Sequence, residues 1–261
     1  MDTKQIILKV KNISKDYTDE FGYTNHLLED ISFEISGKQF TSILAPMNAG
    51  KSSLLKIIAG LQKQTRGEIG FNSGSNCNCI FIPAKPTSLP WLNVEKNIEL
   101  LNKPGSGFNV SRDDITRAIK IVGLAGYEDH IPNNKSLGFR FRISLARALA
   151  AQAKLILLDE PFNHFEQTTK KEIYELLRAI HVAEDTSFIL ATSNISEAVF
   201  LSDNIILLEN KPSRVLDDVK VDLPFNRNIK ILTDESFQLI KKKIENTLKY
   251  NPDHALDSFL S

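Results

Sequence analysis

The sequence predicts an α/β fold with a mainly parallel sheet, an N-terminal antiparallel β subdomain and a helical insert. Three observations carry this. An apolar run, Thr41-Ser-Ile-Leu44, leads into a Gly-Lys-Ser turn and then into the helical run Leu54-Leu-Lys-Ile-Ile-Ala59. A second continuous apolar run, Leu155-Ile-Leu-Leu158, has the composition of a strand covered on both faces. Between them, residues 84 to about 150 change character, with prolines and glycines punctuating helical runs.

Taken in order, the segments 6–10 and 31–35 alternate polar and apolar residues as half-buried strands do. Residues 16–22 read as a polar insert between them. Gly60 closes the helix that ends at Ala59. A strand follows over 65–71, a turn over 72–76 and a buried strand over 79–82, which Pro83 stops. Helices are expected over 94–101, 113–122 and 136–152, with a loop at 103–110. The second half returns to alternation: strand 155–158, helix 170–179, strand 187–191, helix 196–201, strand 205–208 and terminal helix 237–248. The lysine-rich side of that last helix reads as a solvated face. The expected organisation is one domain over 1–261, with a core of 1–83 and about 153–261 and a helical subdomain of about 84–152.

Composition narrows the function classes. The chain has 261 residues, is 42% hydrophobic and 25% charged, and is ordinary for a soluble globular protein. Lys+Arg and Asp+Glu are both 32, so no basic excess points to nucleic acid as a partner. The start, Met1 to Leu8, is charged and lacks the apolar core of a secretory signal. No run approaches the roughly 20 apolar residues of a membrane span. Cys77 and Cys79 stand at C-x-C spacing with no further ligands nearby, and read as reduced thiols near a strand edge. A cytosolic setting is therefore expected.

Two motifs carry chemistry. Ala45-Pro-Met-Asn-Ala-Gly-Lys-Ser-Ser53 fits small-x-x-x-x-G-K-[ST], a phosphate-binding loop, and its strand–loop–helix flanks are those the motif needs. Inward-pointing N–H groups of Asn48, Ala49, Gly50, Lys51, Ser52 and Ser53, with the helix N-terminus, make an anion trap. Lys51 would reach the β- and γ-phosphates, and Ser52 would place its hydroxyl on Mg²⁺. Asn48 stands where glycine is common, and Asn visits positive φ readily. The second motif is Asp159-Glu160, delivered by the 155–158 strand to the crevice where open α/β sheets bind ligands. Asp159 would hold the Mg²⁺ shell, and Glu160 would polarise the water attacking the γ-phosphate. An Asp-Glu pair after a strand can also be a helix cap, and the loop upstream favours the catalytic reading. Tyr17 is either a stacking platform for an adenine ring or a strand-end aromatic packed on its neighbours.

With Tyr17, the loop 45–53, the helical insert, Phe139-Arg-Phe-Arg-Ile-Ser-Leu-Ala-Arg-Ala-Leu149, the 155–160 carboxylate strand and Thr192-Ser-Asn-Ile-Ser-Glu-Ala198 in this order, nearly the whole chain resembles the ATPase subunit of ABC transporters. That family has a P-loop NTPase core of the RecA-like kind. Leu89-Pro-Trp-Leu-Asn-Val94, Asp203-Asn-Ile-Ile-Leu-Leu208, Lys211-Pro-Ser-Arg-Val215 and the terminal helix look most like importer ATPases of the nitrate, sulfonate and taurine group. The resemblance implies two ATPase subunits sandwiching two Mg-ATP, each site joining one phosphate loop to the other subunit's signature. Ser136 and Gly138 would belong to that signature. It further implies integral membrane permease subunits as partners, a second ATPase subunit, alike or different, and a peripheral place on the cytoplasmic face of the membrane.

Four family positions are filled differently. The signature Leu-Ser-Gly-Gly-Gln is here Lys135-Ser-Leu-Gly-Phe139, with Leu137 where a glycine admits the γ-phosphate. Ser193 stands for the switch histidine, Pro83 or Ala84 for the loop glutamine, and Glu166 for an aspartate. Two functions are compatible with this pattern: an energy-coupling ATPase with slow turnover, or a subunit that binds ATP without hydrolysing it and pairs with a complete ATPase. A small-molecule kinase leaves the helical insert and the 192–198 segment without a reason.

Overall fold

The computed structural model describes residues 5–72, 78–102, 107–210 and 212–249. Cys77, most of the 72–76 turn, the first half of the 103–110 loop and Lys211 lie outside the described residues.

The chain opens on a small antiparallel sheet in the order β2-β1-β4, from β1 (Ile6–Thr18), β2 (Thr24–Ser36) and β4 (Arg66–Phe71). Its alternation buries Leu8, Val10, Ile13, Ile31 and Ile35 on one side. The expected polar insert at 16–22 is corrected here. Asp16, Tyr17 and Thr18 finish β1, and only the residues after them turn. The Asp19 carboxylate accepts the N–H groups of Phe21 and Tyr23, both at 2.9 Å, which closes the hairpin. Both strands therefore run well past the apolar stretches that marked them.

The main sheet has the order β5-β6-β7-β3-β8-β9. Its strands are β3 (Phe40–Leu44), β5 (Cys79–Ile82), β6 (Leu155–Asp159), β7 (Ser187–Thr192), β8 (Asn204–Leu208) and β9 (Val215–Lys220). The pairings are parallel except β8 with β9. Every residue of β3, β6 and β7 is buried, which is why their sequences are continuous rather than alternating. One face (Leu44, Ile156, Leu158, Phe188) shares a core with α4 (Leu137–Ala150), α5 (Gln167–Ala183) and α6 (Ile195–Leu201), and α3 (Arg112–Ile121) joins that core by packing on α4. The other (Ile43, Leu155, Leu157, Ile189) packs on α1 (Lys51–Ile58) and on the antiparallel sheet. A short α2 (Val94–Ile98) and a terminal α7 (Glu235–Lys249) complete the helices. Gly60 ends α1 as expected: at φ 70° its N–H reaches the Ile57 carbonyl, and Leu61 N–H reaches that of Lys56.

A buried polar cluster ties the C-terminal arm to this core. The Asp203 carboxylate takes the Phe40 N–H at 3.0 Å, His181 Nε2 at 2.8 Å, Arg178 at 3.4 Å and Arg227 at 3.3 Å. Burial pushes Asp203 up, but those hydrogen bonds and charges hold it down at about 2.

Candidate functional site

The C-terminal edge of the main sheet brings the two motifs together. Leu44 ends β3 beside Thr192, and Asp159 ends β6 beside Ala191, so both ends stand level across β7. The residues just past both strands hang on β7 carbonyls, with Ala45 N–H to Thr192 at 3.4 Å and Glu160 N–H to Ala191 at 3.0 Å.

The loop from β3 to α1 needs positive φ twice, at Asn48 (63°) and Gly50 (88°). A Cβ on Gly50 would stand 2.8 Å from Leu28 and 2.9 Å from Leu27, so only glycine fits there. Gly50 also caps α1 without any side-chain bond, so the first N–H groups of the helix have no intrahelical partner. The loop encloses a cavity of about 360 Å³ bounded by Asn48, Gly50, Lys51, Ser52, Ser53 and Glu160. Leu27 and Met47 line it as well, and nothing in the sequence motif singles them out. Ala49 is buried beneath the loop, its carbonyl accepting from Ser213 Oγ at 2.6 Å.

Lys51 is buried and folds back across its own loop. Its Nζ donates to the Ala45 carbonyl at 3.0 Å and the Pro46 carbonyl at 2.8 Å, and pairs with Glu160 Oε1 at 2.8 Å. The other Glu160 oxygen accepts from Asn163 Nδ2 at 2.6 Å. Glu160 itself sits at φ 43°, a strained position for a carboxylate residue, held by its N–H bond to β7. Asn163 is a site neighbour the sequence motif gave no cause to select, although three residues past a turn carboxylate is within its reach.

Ser52 Oγ donates to Asp159 Oδ1 at 2.7 Å. Burial raises the Asp159 carboxyl, the Ser52 hydrogen bond opposes that, and the Glu160 charge adds to it. A cation beside this pair would relieve both causes. Mg²⁺ takes few protein oxygens and fills its octahedron with phosphate and water, so a hydroxyl and a carboxylate at this spacing fit it.

Tyr17 is half-exposed rather than packed away. Its hydroxyl meets Ser53 Oγ at 3.3 Å and Gln62 Nε2 at 2.6 Å, and the Lys15 ammonium lies 4.9 Å from its ring centroid. The Ser53 hydrogen bond, chiefly, holds the phenol below its usual range.

The signature segment, expected to meet the other subunit's phosphate loop, stands apart from this cavity, as do 83–84 and Ser193. Of the described residues lining the phosphate-loop cavity, none comes from 135–139, from 83–84 or from 193. Ser136 caps α4, accepting the Phe139 N–H at 3.2 Å. A Cβ on Gly138 would stand 2.5 Å from Thr169 Cγ2, so the space this glycine leaves is filled by α5. Leu137 and Ala84 line a separate hollow of about 300 Å³ together with Pro86, Arg140 and His164. Around Ser193, Thr192 Oγ1 donates to Glu197 at 2.7 Å and Asn194 caps α6 through the Glu197 N–H. Glu166 begins α5 without a capping side-chain bond.

Comparison with known proteins agrees with this geometry. The family model described as ABC transporter matches residues 28–163. The aliphatic sulfonates import ATP-binding protein SsuB of a Bacillus cereus strain is 32% identical over 249 residues, covering 93% of this chain and 96% of that protein. SsuB of Bacillus subtilis (strain 168) is 33% identical over 228 residues, covering 85% and 87%. Among solved structures, the post-hydrolysis dimer of the ATP-binding cassette MJ0796 bound to ADP and Pi aligns with a TM-score of 0.69 at 25% identity, over 84% of this chain and 100% of that one. The cbiO1 protein of Clostridium perfringens shares the fold, with a TM-score of 0.72 over 95% of this chain and 96% of its own. With its phosphate loop, its carboxylate strand and these relatives, the chain belongs to the ABC transporter family, among ATP-binding proteins similar to those of the aliphatic-sulfonate importers.

Proposed function

We propose that this chain is the energy-coupling subunit of an ABC importer, binding Mg-ATP at the 45–53 loop and hydrolysing it slowly. One observation carries the reading: Lys51 and Glu160 pair at 2.8 Å on the wall of one cavity, and Ser52 on the same wall donates to Asp159 at 2.7 Å. Lys51 would exchange its carbonyl partners for phosphate oxygens, and Ser52 with Asp159 would hold Mg²⁺, which supplies charge to the phosphates when bound. Glu160, released from Lys51 by that exchange, would orient the attacking water. Sequence kinship to sulfonate import proteins supports a small anion as the cargo, of the nitrate, sulfonate or taurine kind. The partners are integral membrane permease subunits and a second ATPase subunit, at the cytoplasmic face. The division into a nucleotide-binding core (1–83, about 153–261) and a helical subdomain (about 84–152) is part of this reading.

A second reading has its own support. Leu137 replaces a glycine, and Ser193 replaces the switch histidine, so the groups that sense a γ-phosphate are missing. In that reading the chain binds ATP without turning it over and lends a weak signature to a complete partner ATPase. The experiment is Mg-ATP binding and multiple-turnover hydrolysis by the purified chain, alongside Lys51→Ala. Turnover abolished by that substitution supports the first reading. Tight binding with no turnover selects the second, and binding untouched by Lys51→Ala removes both.

A further inference from the structure

We infer that Gln62 and Lys15 are positioning residues that fix Tyr17 as a stacking face for a nucleotide base, at a set distance from the phosphate loop. This rests on the nucleotide reading above and adds residues outside the loop and carboxylate motifs to it.

The turn after α1 is stitched to the end of β1. Thr65 N–H reaches the Ser14 carbonyl at 2.8 Å, Asp16 N–H reaches Thr65 Oγ1 at 2.9 Å, and Lys15 Nζ reaches the Lys63 carbonyl at 2.9 Å. From this anchored turn Gln62 donates to the Tyr17 hydroxyl oxygen at 2.6 Å. The same hydroxyl shares a hydrogen bond with Ser53 Oγ, 3.3 Å away, on the first turn of α1. The line Gln62–Tyr17–Ser53 thus joins the aromatic ring to the phosphate cradle through one hydroxyl.

The ring is pinned in a second way. The Lys15 ammonium is 4.9 Å from its centroid, within cation–π range, and is itself held by the Lys63 carbonyl. The cation occupies one face of the ring and the residue keeps 47% of its surface exposed, so a base would stack on the face opposite Lys15. A ring held at its hydroxyl and on one face loses little freedom when a planar base stacks on the other, and that saving goes directly into affinity. Base–aromatic stacking is a substantial share of binding at such platforms. The matching ligand chemistry is a planar base carried on a polyphosphate.

The test compares two probes on the full chain by calorimetry: Mg-ATP and Mg-tripolyphosphate, which has the phosphates without the base. Wild type should bind ATP about tenfold or more tighter than tripolyphosphate. Gln62→Ala should weaken ATP by about three- to tenfold and leave tripolyphosphate within about twofold. Tyr17→Phe, which keeps the ring but removes the hydroxyl, should give a similar loss. The double variant should be no worse than the weaker single, because both break one line. Equal losses for the two probes would mean a merely structural role and overturn the inference, as would an unchanged ATP affinity. Equal wild-type affinity for both probes overturns the base platform while sparing the phosphate loop. Wild type that binds neither probe overturns the nucleotide reading and this inference together.

Discussion

The phosphate-loop side and the closing side of the candidate site are built on opposite plans. On the first, the polar groups of Lys51, Ser52, Asp159 and Glu160 already stand within 2.8 Å of one another in pairs, although Ser52 and Asp159 are 107 residues apart in sequence. The sheet does this: β3 and β6 flank β7, and their ends are level. On the second, the corresponding residues serve packing. Ser136 caps a helix, Gly138 gives its space to Thr169, and Leu137 lines a separate hollow beside Pro86 and Arg140. On the proposed reading, nucleotide capture rests on the sheet edge, whereas completion of the site falls to helical segments whose residues depart from the family signature.

The largest effect belongs to the first side. Lys51→Ala should lower Mg-ATP affinity and any turnover by on the order of 10²–10³, since on the proposed reading it removes the buried cation that would turn from its carbonyl partners to the phosphates. Nucleotide binding by calorimetry and phosphate release measure it. An unaltered affinity would break the comparison, because the loop would then not be the capturing side. The next effect tests the second side. Ser193→His combined with Leu137→Gly should raise turnover by about tenfold or more if missing γ-phosphate contacts limit the rate. Turnover that stays flat would place the limit elsewhere and erase the contrast between the two sides.

A smaller effect sharpens the point for Ser136. If its hydroxyl works as a cap in the single chain, Ser136→Ala should cost about 1 kcal/mol. That corresponds to a fall of about 2–4 °C in Tm for a domain of this size, with ATP affinity of the isolated chain unchanged. Thermal unfolding with and without nucleotide separates the two roles.

Much of this was legible in the sequence, for reasons that differ by region. The strands β3, β6, β7 and β8 are plain because burial on both faces leaves unbroken apolar runs, whereas β5 is a half-buried edge strand marked by its apolar run and by Pro83. The strand β9 was missed: Val-Leu-Asp-Asp-Val-Lys pairs antiparallel at an edge, and its adjacent aspartates interrupt any apolar alternation. The far ends of β1 and β2 were missed for a similar cause, since exposed strand tips carry polar residues and the register shifts along the pair. Lys51 and Glu160 could be named from spacing alone. Asn163 and Gln62 could not, because their relevance lies in touching Glu160 and Tyr17, and no local pattern encodes that.

The smallest effect concerns pH, and two aspartates with opposite shifts frame it. Asp203 is held down at about 2, so its contribution to stability is full above the usual carboxylate value and is lost as pH falls towards 2. Asp159 is raised, first by burial, so the sign reverses: its fold-stabilising state is the protonated one, full below the usual carboxylate value and lost as pH rises through the raised one. Asp159→Asn keeps an acceptor for the Ser52 hydroxyl and removes the ionisation. In the nucleotide-free chain its Tm should therefore match wild type at low pH and exceed it once pH passes the raised value. Mg-ATP should reverse this ranking, because a cation gives the ionised carboxylate the partner it lacks and stabilises only the state that binds it. A variant that is never more stable without ligand would mean that Asp159 carries no electrostatic cost. The capturing side would then have nothing for the metal to relieve, and its difference from the closing side would shrink to geometry alone.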